Sequence, residues 1–184
     1  PGAPKGAAAL HIQPLLLQPV GNHCDIKKQR PRSEANGLII DRGTLLAVEQ
    51  GDLDLLHRMM KWTGSLLERD FKLYAIDSVI KGMITYGIHH QSPKALDEAY
   101  LITHTVDDPS LQQQQREAII EGLVRVGCIR LTATVTPITP EALKFEIEPF
   151  DRALTLLAES VNRSQLSLKI SKFIDIILEY SQAA

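Results

Sequence analysis

Between positions 66 and 86 the apolar residues Leu66, Leu67, Phe71, Leu73, Tyr74, Ile76, Val79, Ile80, Met83, Ile84 and Tyr86 recur at threes and fours, the period of an α-helix. They populate more than one face of that helix. Apolar side chains spread over so much of a helix circumference require other helices around it, so this segment is expected to be the centre of a bundle. Its start is marked by Ser65-Leu-Leu-Glu68, a capping-box spacing in which the serine hydroxyl and the glutamate carboxylate satisfy backbone N–H groups of the first turn.

Cap signals place the neighbouring helices. Ser92-Pro93 and Asp108-Pro109 each pair a capping side chain with a proline at the first helical position, where the missing N–H forfeits no hydrogen bond. The second opens a helix through Gln112, Gln115, Ile119, Ile120, Leu123 and Val124, with Gly127 as its natural end. Upstream, Leu45, Leu46, Val48, Leu53, Leu55, Leu56, Met59 and Met60 keep helical spacing around Gly51-Asp52. Two helices with a turn at Gly51, or one helix with a flaw there, both fit. Residues 44–60 resemble one helix-turn-helix unit of an ankyrin repeat, a unit that stacks on neighbours at a period of about 33 residues. No second copy follows at that period.

The pattern changes once. Ile129, Leu131, Ala133 and Val135 alternate with Arg130, Thr132, Thr134 and Thr136, and Phe145 and Ile147 alternate with Lys144, Glu146 and Glu148. A period of two predicts extended chain, hence a short β-hairpin near 129–148, in competition with a helical turn started by Thr139-Pro140-Glu141. Residues 151–161 and 165–180 then read as closing helices joined by a turn at 162–164. Leu166, Leu168, Ile170, Phe173, Ile174, Ile177 and Leu178 form the apolar face of the last. The expected fold is mainly α, a compact bundle or array of about six to seven helices with an irregular N-terminal arm.

A chain of 184 residues supports one core of useful size, which divides it into an arm over 1–43 and a helical domain over 44–184. Five prolines and five glycines fall in the arm and argue against helix continuity there. Charge divides at nearly the same place. Residues 1–32 carry five Lys or Arg against Asp25 alone, so a basic arm precedes an acidic body although the whole chain has a formal net charge of -2. Within the arm, residues 9–20 contain Leu10, Ile12, Leu15, Leu16 and Leu17 and no charge. So aliphatic a segment is expected in a hydrophobic groove, of its own domain or of a partner. Lys27, Lys28, Arg30 and Arg32 follow at once and suit phosphate contact or a nuclear import receptor. No aromatic side chain interleaves them as a stacking platform for single strands.

Chemistry is sparse. Cys24 and Cys128 are too few and too far apart for a disulfide scaffold, which favours a reduced intracellular setting, cytoplasmic or nuclear. The longest apolar runs are broken by charge well short of the roughly 20 residues a membrane helix needs. His11, Gln13, Pro14, Gln18 and Pro19 spoil residues 7–20 as a signal-peptide core. With Pro rather than Met at position 1, the chain reads as a piece or processed product of a longer one. His89, His90, His104 and Asp107 are the one cluster of metal-ligand types, lacking the i, i+4 spacing that puts two imidazoles on one face. Asp108 is already accounted for as a cap, and Cys128 reads as a buried structural thiol. Neither a nucleophile elbow nor a phosphate-binding glycine loop is present in the sequence. The reading that follows is a non-enzymatic interaction module without cofactor, an adaptor, scaffold or regulatory domain engaging another protein through a groove or the arm. Two alternatives remain. One is a nucleic-acid-associated regulator using the basic arm; the other is a metal-dependent enzyme using His89, His90, His104 and Asp107.

Overall fold

The computed structural model describes residues 26–133, 140–160 and 163–183. Among the described residues the chain forms seven α-helices and no strand: α1 (Ile26–Gln50), α2 (Leu53–Thr63), α3 (Arg69–His89), α4 (Pro93–Thr103), α5 (Pro109–Ala133), α6 (Pro140–Ser160) and α7 (Arg163–Ala183). The expected helical array is therefore the architecture. Helix α3 packs on α1, α2, α4 and α5, and α5 in turn carries α6 and α7. Ile76, Val79, Ile80 and Met83 of α3 share one buried cluster with Leu96 of α4, Ile119, Ile120, Leu123 and Val124 of α5, and Leu156 and Leu157 of α6.

Local signals explain several boundaries. Gly51 takes φ +65, open to glycine at no steric cost, and Asp52 caps α2 by accepting from the Leu55 N–H at 2.8 Å. Ser92 accepts from the Ala95 N–H at 3.3 Å and Asp108 from the Leu111 N–H at 2.9 Å, so both Pro-marked starts are realised. The Ser65 start is not. Its hydroxyl instead donates to the Trp62 carbonyl at 2.7 Å, closing the end of α2, and α3 begins at Arg69 without a side-chain cap.

Three further expectations are corrected. Residues 26–43 belong to α1 rather than to an irregular arm, despite Pro31, Gly37 and Gly43. Ser33, Gly37, Ile40, Thr44 and Ala47, at alternating fours and threes, are all buried, and a continuous packed seam overrides weak local propensity. Residues 1–25 lie outside the described residues. The hairpin near 129–148 is absent from the described residues: 129–133 finish α5 and 140–148 begin α6, while 134–139 fall outside them. Leu123, Val126, Gly127 and Arg130 are buried at helical spacing, so Arg130 extends the inward stripe that a period of two assigned to solvent. Gly127, expected to end the helix, is a notch. A Cβ there would meet the Phe150 ring at 2.5 Å.

The Arg130 side chain is 7% exposed and joins three elements. Pro149 lies inside α6 and has no N–H for the carbonyl four residues earlier, which belongs to Phe145. Arg130 donates to that Phe145 oxygen at 3.0 Å and to the Gln91 carbonyl at 2.8 Å. Gln91 is the turn residue between α3 and α4, at φ 49. The guanidinium also lies 4.1 Å from the Phe145 ring centroid and 3.5 Å from the Glu148 carboxylate. Planar donors in a fixed fork suit such a junction where an ammonium would not.

Two stability measurements follow. In urea unfolding, Ile80→Ala costs about 2–5 kcal/mol, whereas Leu67→Ala, at a side chain 74% exposed, stays within about 0.5 kcal/mol; equal losses would take α3 out of the centre. Arg130→Met costs about 1–3 kcal/mol for each carbonyl deprived of its donor. Because Pro149→Ala supplies a backbone N–H to Phe145, the double variant Arg130→Met/Pro149→Ala is expected to lose less than the two single changes summed. Strict additivity would separate the proline from the arginine.

Candidate interaction surfaces

The sequence-derived candidates are placed unevenly. Leu10, Ile12, Leu15, Leu16 and Leu17 lie outside the described residues. Lys27, Lys28, Arg30 and Arg32 fall in the first turns of α1. The four metal-ligand candidates are not brought together. His104 Nδ1 is 3.0 Å from the Arg116 guanidinium, His90 stacks on Tyr86 with centroids 4.3 Å apart, and Asp107 accepts from Arg69 at 3.1 Å. His89 ends α3 on the exposed side. No group of three or more His, Cys, Asp or Glu among the described residues is arranged to hold a metal ion. Cys128 is free and buried, and burial pushes its thiol up, with Arg125 opposing, so it is a poor nucleophile.

Apolar surface stands out instead on the first and last described helices. In α1 the inward seam is built mostly from small residues. The large aliphatics Leu38, Ile39, Leu45 and Leu46 point outward, 58%, 37%, 49% and 40% exposed. At 3.6 residues per turn those four share one side with Ala35, Arg42 and Glu49, opposite the seam. Leu45 and Leu46 were visible as helix-period residues; Leu38 and Ile39 were missed because the segment was read as arm. Their signal is the i, i+7 pairing of 38 with 45 and 39 with 46.

Helix α7 divides in the same way. Ile176 is buried and Phe173 partly buried against the core, while Ile170, Ile174, Ile177 and Leu178 remain 38–51% exposed on the other side. The single apolar face expected for this helix is thus two, because α7 packs chiefly on α5 and one neighbour can cover one stripe. Ser167 and Ser171 border the outer stripe, and no charged residue interrupts it. No described helix is long and apolar enough to cross a membrane.

Under α7, Glu117, Ile120, Leu157, Lys169 and Phe173 line a cleft of about 30 Å³, room for a water or two rather than a ligand. A wider, open basin of about 430 Å³ continues between Gln113, Ser160, Gln165 and Leu168. On its floor Lys169 pairs with Glu117. Burial raises the Glu117 pKa, but donation from Lys169 and Gln113 outweighs it and holds the carboxyl below its ordinary 4.5. Gln113 donates from within α5, so it is the Lys169 ammonium that anchors α7 to α5.

Comparison with known proteins finds no matching family model, no matching curated protein and no matching solved structure.

A carboxyl with a depressed folded-state pKa stabilises above its unfolded value and loses that contribution as pH falls through the folded one. Amide exchange in α7 is therefore expected to accelerate relative to α3 as pH drops below 4.5, and Glu117→Gln flattens the response. An α7-to-α3 ratio independent of pH in the unsubstituted chain would contradict this anchoring.

Proposed function

We propose that this chain is a non-enzymatic protein interaction module, an adaptor or regulatory domain that binds the apolar face of a partner helix along α7. The observation that carries the reading is the outer stripe of Ile170, Ile174, Ile177 and Leu178, four large aliphatics at helical spacing with no charge among them. Contiguous exposed apolar surface of this kind marks interaction sites, and i, i+4, i+7, i+8 anchors match a helix laid against another helix. A free, buried Cys128 suits a reducing compartment, so the module acts inside the cell, in cytoplasm or nucleus.

The test uses a photoreactive side chain at Ser171 in the full chain. A discrete protein adduct is expected in cells, lost with Ile174→Asp/Ile177→Asp while the thermal transition moves by no more than about 2 °C. Capture that survives the double change, or that is equal with the probe at Lys94, would refute α7 as the binding face. Nucleic-acid contact through Lys27, Lys28, Arg30 and Arg32 behaves differently, because phosphate binding falls steeply with salt and an apolar α7 interface does not.

A further inference from the structure

We infer that the outward face of α1 is a contact between two copies of this chain, an antiparallel helix pair about a two-fold axis beside Leu45. This surface is distinct from α7 and does not depend on the partner reading given there. Two observations carry it. First, Leu38, Ile39, Leu45 and Leu46 form a stripe on one side of α1, while the seam on the opposite side already engages α2 and α3. Second, Arg42 and Glu49 are exposed within that same stripe, and neither is ion-paired among the described residues. Seven residues apart, they stand nearly in line on the helix surface, about 10 Å from each other along its axis. The stripe therefore carries one base and one acid, each flanked by large aliphatics.

Charge chooses both the occupant and its direction. A purely apolar helix laid on the stripe would take both charges out of water without a partner, which is costly. A second copy brings the missing acid and base on one face, because a two-fold contact sets a patch against itself. Parallel alignment would put like charge on like. Antiparallel alignment with the axis beside Leu45 brings Arg42 of each protomer level with the partner's Glu49, so the same ion pair forms twice, and a guanidinium can grip a carboxylate with two donors. At 1.5 Å rise per residue the two arginines then stand about 9 Å apart along the helices. Leu45 and Leu46 fill the centre of the contact, and each ion pair lies between them and Leu38 and Ile39, which shield it from water.

Sedimentation velocity of the full chain over a concentration series tests this. The unsubstituted protein is expected to dimerise reversibly. Arg42→Glu sets acid against acid and Glu49→Arg sets base against base, so either change alone is expected to raise the dissociation constant at least about tenfold. An equimolar mixture of the two variants, and the doubly exchanged Arg42→Glu/Glu49→Arg chain, restore opposite charges at both positions and are expected to recover the dimer, which a variant that had failed to fold could not do. An unsubstituted chain that stays monomeric at every concentration would overturn the inference, and so would a dimer indifferent to both single changes. Single variants that weaken the dimer but do not recover on mixing would overturn the antiparallel pairing. A dimer that Ile174→Asp/Ile177→Asp dissociates while the α1 changes leave it intact would place the contact on α7 and overturn it as well.

Discussion

The position of α6 on the rest of the array depends on one buried guanidinium. A proline inside α6 leaves the Phe145 carbonyl without its helical donor, and the positive-φ turn at Gln91 presents another carbonyl from the opposite side; Arg130 donates to both. Burying an arginine is costly unless its donors are used, so this side chain is favourable only where α6 sits at one rotation and one height on α5. Phe150 against the Gly127 notch enforces the same register sterically. Arg152 on Asp97, at 2.6 Å, ties α6 to α4 as well. Helix α7 is held on α5 separately, by Ile176, Phe173 and the Glu117–Lys169 pair.

What the sequence disclosed follows the range of the interaction responsible. Caps act over three residues, so Ser92 and Asp108 announced their helices, while Gly51-Asp52 left a turn and a flaw in one helix both open. Ser65 misled because its hydroxyl had a competing local acceptor, the Trp62 carbonyl. Arg130 was illegible for the opposite reason. Its partners stand at positions 91, 145 and 148, and nothing local shows that a cation in an alternating run points inward. Pro31, Gly37 and Gly43 looked like breaks because propensity is local, whereas the seam of Ser33, Ile40, Thr44 and Ala47 gains its stability from α2 and α3.

The candidate surfaces were legible in composition but not in direction. Periodicity shows that a helix carries many aliphatics; it does not show how many neighbours the helix will have. Both α1 and α7 carry two apolar stripes, and each is a first or last helix of the described array. A central helix such as α3 satisfies several stripes at once with α1, α2, α4 and α5 around it. In a terminal helix of the described array the second stripe is left over, and the same composition that makes α3 a core element leaves α1 and α7 with exposed apolar surface.

The two outward stripes differ in the charge around them. The α1 stripe shares its side with Arg42 and Glu49, both exposed. The α7 stripe has serines at its border and no charge, so association there is governed by apolar area and shape rather than by electrostatic steering. Such an interface gains little on-rate from long-range attraction and changes little with salt. Because α7 is anchored through an ionised carboxylate, acid loosens the helix from its core side, and the outer stripe carries no titrating group of its own.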